Sequence, residues 1–303
     1  MPQAAPWCAS APQFLAPATT RRPDKQTRDL MQHRKITFIG AGNMARAIIA
    51  GLVAGGYPAK SISVCAPSAK NRDALAADYG IVSSGDNVAC AREAEVVVLA
   101  VKPQMMADVC QPLREQVDFG GKLVLSIAAG IQVSRFYQLL GDQLDIVRIM
   151  PNTPSLVGKG MSGLYAPAQV SQQDRDYTGD LMASVGKVCW VDDENGINGV
   201  IAAAGSAPAY FFLFMEAMQK EAERMGFDSQ TARDLVQQAA SGAAALVEAN
   251  PDTPLGTLRE QVTSKGGTTA EALRVFNERQ LPETVAQAMQ AAVSRAQEME
   301  KLF

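Results

Sequence analysis

From Lys35 onward, short runs rich in Val, Ile and Leu alternate with segments whose apolar residues recur at helical spacing. The apolar runs predict strands at Lys35–Ile39, Ser61–Cys65, Val96–Val101, Leu123–Ile127 and Ile146–Met150. Between them the pattern predicts helices at Asn43–Ala54, Ala69–Tyr79, Gln104–Gln116 and Val133–Leu140. Strands that are apolar throughout and alternate with helices belong to a parallel sheet covered on both faces. Two shorter strands are expected near Met161–Tyr165 and Lys187–Val191. After about Glu194 the strand pattern stops, and Ala207–Met225, Gln230–Glu248 and Thr284–Lys301 read as long helices. Small residues on several faces of the second (Ala239, Ala240, Gly242, Ala243, Ala244) predict close helix–helix packing, within the chain or between subunits. The chain is thus read as three regions. Residues 1–33 form a disordered extension, 34–165 an α/β domain with a mainly parallel sheet, and 166–303 an all-α domain.

Composition narrows the function. The chain has 303 residues, 47% hydrophobic and 19% charged, with a net charge of -3. That balance is ordinary for a globular protein and gives no reason to expect nucleic acid as a partner. No apolar run reads as long enough to span a bilayer, so no membrane association is expected. The cysteines (Cys8, Cys65, Cys90, Cys110, Cys189) are scattered without a CxxC pair, which fits reduced thiols and neither a metal cage nor a disulfide framework. The single histidine, His33, lies outside every motif, which argues against Ser-His-Asp hydrolysis and His-based metal catalysis. The extension is rich in Ala, Pro, Gln and Thr, and lacks both the early positive charge and the apolar centre of a secretory peptide. Met31 is read as the effective start, and a cytoplasmic location is expected.

Two motifs carry the chemistry. Gly40-Ala41-Gly42-Asn43-Met44-Ala45 fits G-x-G-x-x-G/A, and it follows a predicted strand and opens a predicted helix, the context a dinucleotide fingerprint requires. At the end of the second strand an NAD site usually carries Asp or Glu for the ribose 2′-hydroxyl. This chain has Cys65-Ala66-Pro67-Ser68-Ala69-Lys70-Asn71-Arg72 there, which would accommodate a 2′-phosphate or be simply a solvated helix start. Lys102, in Ala100-Val101-Lys102-Pro103, is either a catalytic acid or a surface charge. Small residues at Ser126-Ile127-Ala128-Ala129-Gly130 leave room for a flat ring. The second motif is Val262-Thr263-Ser264-Lys265-Gly266-Gly267-Thr268-Thr269. Two glycines followed by two threonines at a helix start offer backbone N–H groups and hydroxyls to a small anion. The alternative is plain helix capping by the threonines.

With Met150-Pro-Asn-Thr-Pro154 and Gly205-Ser-Ala-Pro-Ala-Tyr210, these motifs stand in the order and spacing of pyrroline-5-carboxylate reductases, and from about Lys35 to the C-terminus the chain resembles that family. The resemblance implies a Rossmann-like N-terminal domain and a helical C-terminal dimerisation domain. It implies a homodimer assembled into a larger ring such as a decamer. It also implies hydride transfer from NADPH, with NADH as a second choice, to 1-pyrroline-5-carboxylate, giving L-proline in the last step of proline biosynthesis. By position, Gly40, Gly42, Asn43 and Met44 would hold the pyrophosphate. Ser68, Lys70, Arg72 and Asn87 would surround the adenosine half, and Ala100, Val101, Lys102 and Pro103 would line the cofactor path. Ser264, Gly267, Thr268 and Thr269 would bind the substrate, with Thr269 catalytic through the ring nitrogen; no metal is implied. Lys265 stands where proline is more usual in the family, and Ala207 where glycine is common. The rivals are a β-hydroxyacid dehydrogenase, whose lysine motif is missing near Ala207–Lys220, a pyrroline-2-carboxylate reductase, and a dinucleotide-binding regulator without turnover.

Overall fold

The computed structural model describes residues 33–142 and 144–302. Apart from His33, the expected extension lies outside the described residues, as does Cys8. The chain divides into two compact units that part between Val200 and Ile201. The expected boundary after residue 165 would cut through a sheet whose last strand lies beyond it.

That sheet has eight strands: β1 (Ile36–Ile39), β2 (Ile62–Cys65), β3 (Val82–Ser84), β4 (Val96–Leu99), β5 (Leu123–Ser126), β6 (Asp145–Met150), β7 (Gly160–Tyr165) and β8 (Gly186–Trp190). Their order is β3-β2-β1-β4-β5-β6-β7-β8, and every pairing is parallel except β6 with β7. The strand order reverses between β1 and β4, the switch point at which a doubly wound sheet opens a crevice for a ligand. Helices α1 (Asn43–Ala54), α2 (Ala69–Tyr79), α3 (Asn87–Glu93), α4 (Met106–Gln116), α5 (Val133–Leu140) and α6 (Gln172–Ala183) cover the sheet.

Successive strand side chains point to opposite faces, and each face has its own core. Phe38 packs with Ile48 and Leu52 of α1 and Leu181 of α6. Its neighbour Ile39 packs on the other side with Met106 and Leu113 of α4 and Phe136 of α5. Tyr57 and Tyr177 join the first core, their hydroxyls 2.9 Å apart, and Tyr57 donates to the Arg34 carbonyl at 2.6 Å. His33 lies edge-on to the Tyr57 ring, away from the motifs.

The second unit is helical. It contains a π-helical turn (Ile201–Gly205) and helices α7 (Ala207–Arg224), α8 (Ser229–Ala249), α9 (Leu255–Gln261), α10 (Thr268–Glu278) and α11 (Leu281–Met299). Its buried apolar residues are few: Ala202, Ala232, Val236 and Ala296. Phe211 and Leu213 are each 67% exposed, and Met225 and Leu246 are also uncovered. One expectation from sequence is corrected here. The helical stretch Gly196–Arg224 is, by length and composition, long and apolar enough to cross a membrane. Its apolar character is spread across alanines, glycines and aromatics instead of one aliphatic run, so it does not stand out in the sequence.

Candidate active site

The residues expected to bind the cofactor gather at the carboxyl edge of β1 to β4. The Gly40 N–H donates to the Cys65 carbonyl at 2.8 Å, and the Ala100 N–H to the Ile39 carbonyl at 2.8 Å, which stitches the ends of β1, β2 and β4 together. Gly40 has φ +115°, and a Cβ there would sit 2.4 Å from the Ala100 carbonyl oxygen. Only glycine tolerates both the conformation and the contact. Gly42 then caps α1 with extended backbone; no side chain caps the helix, and the space a Cβ would take at Gly42 is open. The first N–H groups of α1, from Asn43 and Met44, start a twelve-residue helix beside that open space, an arrangement suited to a phosphate.

At the end of β2 there is no carboxylate. Cys65 occupies the last position, its sulfur 3.5 Å from Thr37 Oγ1, and burial pushes its thiol up to about 12, so it adds no negative charge. Ser68 is the N-cap of α2 and makes no capping bond, while Lys70 in the first turn is exposed. Arg72 donates from Nη1 to the Ala66 carbonyl at 2.8 Å and from Nε to Asp73 at 3.1 Å. The guanidinium is therefore held across the β2–α2 loop instead of waving in solvent. With Lys70 and Arg72 set against the single acid Asp73, and no carboxylate at the end of β2 itself, this rim suits a 2′-phosphate.

Asn87 opens α3, whose cap is Asp86 accepting from the Val88 and Ala89 N–H groups at 3.0 and 2.9 Å. Asn87 Oδ1 is buried and has no hydrogen-bond partner among the described residues. A buried acceptor left over in this way points to a donor from a bound group. The residues present thus fit a phosphorylated dinucleotide. After β4, Ala100, Val101 and Pro103 are partly buried, and Lys102 stands exposed before the turn Pro103–Met105.

The expected substrate residues lie together in the helical unit. Gly266 has φ +70°, and the Gly267 N–H donates to the Ser264 carbonyl at 3.0 Å, closing a tight turn. A Cβ at Gly267 would meet Ser264 Oγ at 2.3 Å, so glycine leaves room for that hydroxyl to lie over the turn. Gly267 is the N-cap of α10, and no side chain caps it; Thr268 and Thr269 begin the helix with both side chains exposed. Their hydroxyls therefore do not cap the helix, and the helix start presents N–H groups and three hydroxyls without an acid until Glu271. That carboxylate is tied to Arg274 at 2.6 Å, which holds it below its usual range. A separate cavity of about 470 Å³, lined partly by Ala50, Ala54, Leu156, Val157 and Asp180, carries none of these residues.

A polar cluster in the sheet unit escaped the sequence reading. Arg148, 1% exposed in the middle of β6, pairs with Glu194 at 3.0 Å. Its signal was a charge inside the otherwise apolar run Ile146–Met150; its partner lies too far along the chain to be inferred.

Comparison with known proteins identifies the family. Residues 194–299 match the family described as "Pyrroline-5-carboxylate reductase dimerisation", and residues 35–130 the one described as "NADP oxidoreductase coenzyme F420-dependent". The chain is 65% identical to a pyrroline-5-carboxylate reductase of Vibrio alginolyticus, over 90% of this chain and the whole of that one. A solved pyrroline-5-carboxylate reductase from Coxiella burnetii is 40% identical with a TM-score of 0.84, covering 88% of this chain and 99% of that one. A pyrroline carboxylate reductase from Plasmodium falciparum, solved with NADP bound, is 27% identical with a TM-score of 0.79 over 89% of this chain and 99% of that one. The fold and the motifs at both ends of it thus have one source: the chain belongs to the pyrroline-5-carboxylate reductase family, NADP-type oxidoreductases with a dimerisation domain.

Proposed function

We propose that this chain, as a cytoplasmic homodimer built into a larger ring such as a decamer, reduces the C=N bond of 1-pyrroline-5-carboxylate to L-proline with NADPH in preference to NADH. The reading is carried by two observations together: a dinucleotide edge with no carboxylate at the end of β2, and an anion-ready helix start at Thr268 in the helical unit.

NADPH, when bound, supplies the hydride, and the protein's own work is to bind, orient and exclude. Gly40, Gly42, Asn43 and Met44 take the pyrophosphate at the start of α1. Ser68, Lys70 and Arg72 take the 2′-phosphate, Asn87 Oδ1 accepts from the adenosine half, and Ala100 to Pro103 line the path of the cofactor. In the helical unit, Ser264, Gly267 and Thr268 hold the substrate carboxylate. Thr269 Oγ1 hydrogen-bonds the ring nitrogen and helps to keep its proton in place. A cyclic imine is readily protonated, so the reaction asks for no histidine and no metal, only for the imine carbon to be set against the hydride donor.

The test is NADPH oxidation by the purified chain with 1-pyrroline-5-carboxylate, followed by the absorbance of the reduced nicotinamide, with 1-pyrroline-2-carboxylate in a parallel arm. Substrate-dependent oxidation in the first arm is expected. Turnover confined to the second arm, or binding of NADPH with no turnover in either, overturns the reading.

A further inference from the structure

The loop between β5 and α5, residues 127–132, leaves the sheet on the far side of the switch point from the adenosine residues. In a doubly wound sheet this is the carboxyl edge that receives the other half of the dinucleotide. Both ends of the loop are pinned. At its entry, Ser126 is wholly buried and its Oγ accepts from the Ala128 N–H at 3.3 Å. At its exit, Glu194 Oε1 accepts from the Val133 N–H at 2.8 Å and from Arg148 Nη1 at 3.0 Å. Arg148 is the sheet neighbour of Ser126, so the arginine anchors the carboxylate to the strand beside the loop's origin. The Glu194 side chain is 19% exposed. Taking a guanidinium and a carboxylate out of water is costly, and an apolar pair of similar volume often serves stability as well or better. A buried pair at this edge, bonded to a loop backbone, thus calls for a role other than stability.

We infer that Glu194, anchored by Arg148, is a positioning residue for hydride transfer: it fixes the 127–132 loop, and with it the seat of the nicotinamide. This rests on the reading of the chain as an NADPH-dependent reductase. Reach matters more than charge in such a clamp. Glu194→Gln keeps an oxygen that can accept from Val133 and Arg148, whereas Glu194→Asp keeps the charge but is one methylene too short to bridge both.

The two variants are compared with the unaltered chain in kcat and KM for NADPH, in Kd for NADPH and for adenosine 2′,5′-bisphosphate, and in thermal unfolding. Glu194→Asp is expected to lose about tenfold in kcat/KM and in NADPH affinity, as a misplaced reactant does. It should bind the bisphosphate within about twofold of normal, since the adenosine residues lie elsewhere on the edge. Glu194→Gln is expected to recover most of that loss. Three results would overturn the inference: Asp outperforming Gln, both variants with unchanged kcat and NADPH affinity, or an equal loss of NADPH and bisphosphate binding. If the unaltered chain shows no pyrroline-dependent turnover, the proposed function fails, while the two affinities still decide the clamp.

Discussion

The two units of this chain solve the problem of burial in opposite ways. The sheet unit closes a core on each face by itself: Phe38, Ile48 and Leu52 on one side, Ile39, Leu99 and Phe136 on the other, all within about 1% of complete burial. The helical unit leaves Phe211, Phe212 and Leu213 in a consecutive exposed run and buries mainly alanines. A contiguous exposed apolar face of this kind marks an interaction surface, and the dimerisation family that matches residues 194–299 supplies the occupant, a second copy. The sheet unit therefore closes its own core and carries the proposed cofactor edge, whereas the helical unit leaves a face for assembly and carries the proposed substrate motif.

The sharpest test of this division is to damage each site alone. Thr269→Ala removes one hydroxyl from an exposed helix start and should lower kcat/KM by about 10²- to 10³-fold, the cost of a donor lost at a reacting centre. NADPH affinity, measured by titration, should stay within about twofold, because the cofactor edge is built from other elements. A variant that bound NADPH poorly yet turned over normally would show that Thr269 does not serve the substrate. Gly40→Val is the converse. The new side chain must displace the Ala100 carbonyl and hold φ +115°, a strain of about 1–3 kcal/mol before any clash. NADPH affinity should fall at least about tenfold, since 1.4 kcal/mol is tenfold in a binding constant. Helix content and subunit association should survive. Loss of the oligomer in Gly40→Val would mean that the units are not independent.

Stability can be divided in the same way. Phe136→Ala opens a cavity in a closed core and should cost about 3–5 kcal/mol, read as a fall in Tm that does not depend on protein concentration. Leu213→Ala removes a side chain that is 67% exposed in the isolated chain. Its cost of about 2–3 kcal/mol or less should appear as weaker association, so that Tm becomes dependent on concentration. Equal, concentration-independent losses in both variants would break the comparison.

The same contrast explains what the sequence revealed. Helices α1, α2 and α5 have the bounds that the sequence predicts, since each stops at a glycine, Gly55, Gly80 and Gly141. Strand β3 was missed because Val82, Ser83 and Ser84 form a short, polar edge without an apolar run. Helix α3 was missed because it has seven residues and owes its start to Asp86. Helix α6 was missed because its exposed face of Gln and Asp hides the four residues it buries, Tyr177, Thr178, Leu181 and Met182. The glycine motifs were legible because backbone conformation and close approach are local demands that only glycine meets, as at Gly40. The Glu194 clamp was not, because Arg148 and Val133 lie 46 and 61 residues before Glu194 and only the fold brings them together. The exposed stripe Phe211–Phe214 lies in a stretch that reads from sequence only as a long helix, since sequence does not say which chain covers an apolar face.

The effect slowest to appear concerns pH and falls on the sheet unit alone. Cys65 and Cys110 are wholly buried there, and burial pushes each thiol up to about 12 from an ordinary value of 9.0. The folded chain therefore keeps protons that the unfolded chain releases above pH 9. With more protons bound in the native state, stability must fall as pH rises, by up to about 1.4 kcal/mol per pH unit for each thiol, and the fall should end near pH 12. Below pH 9 the thiols should contribute no slope. Denaturant unfolding at pH 8, 9 and 10 reads this directly. The double variant Cys65→Ala, Cys110→Ala should start less stable from lost packing and show a shallower alkaline fall. An unchanged slope in that variant would assign the alkaline loss to other groups, Tyr57 first among them, since burial raises its hydroxyl to about 12 as well. In either case the loss should be seen in NADPH binding before it is seen in subunit association, because the titrating groups lie in the unit that closes its own core.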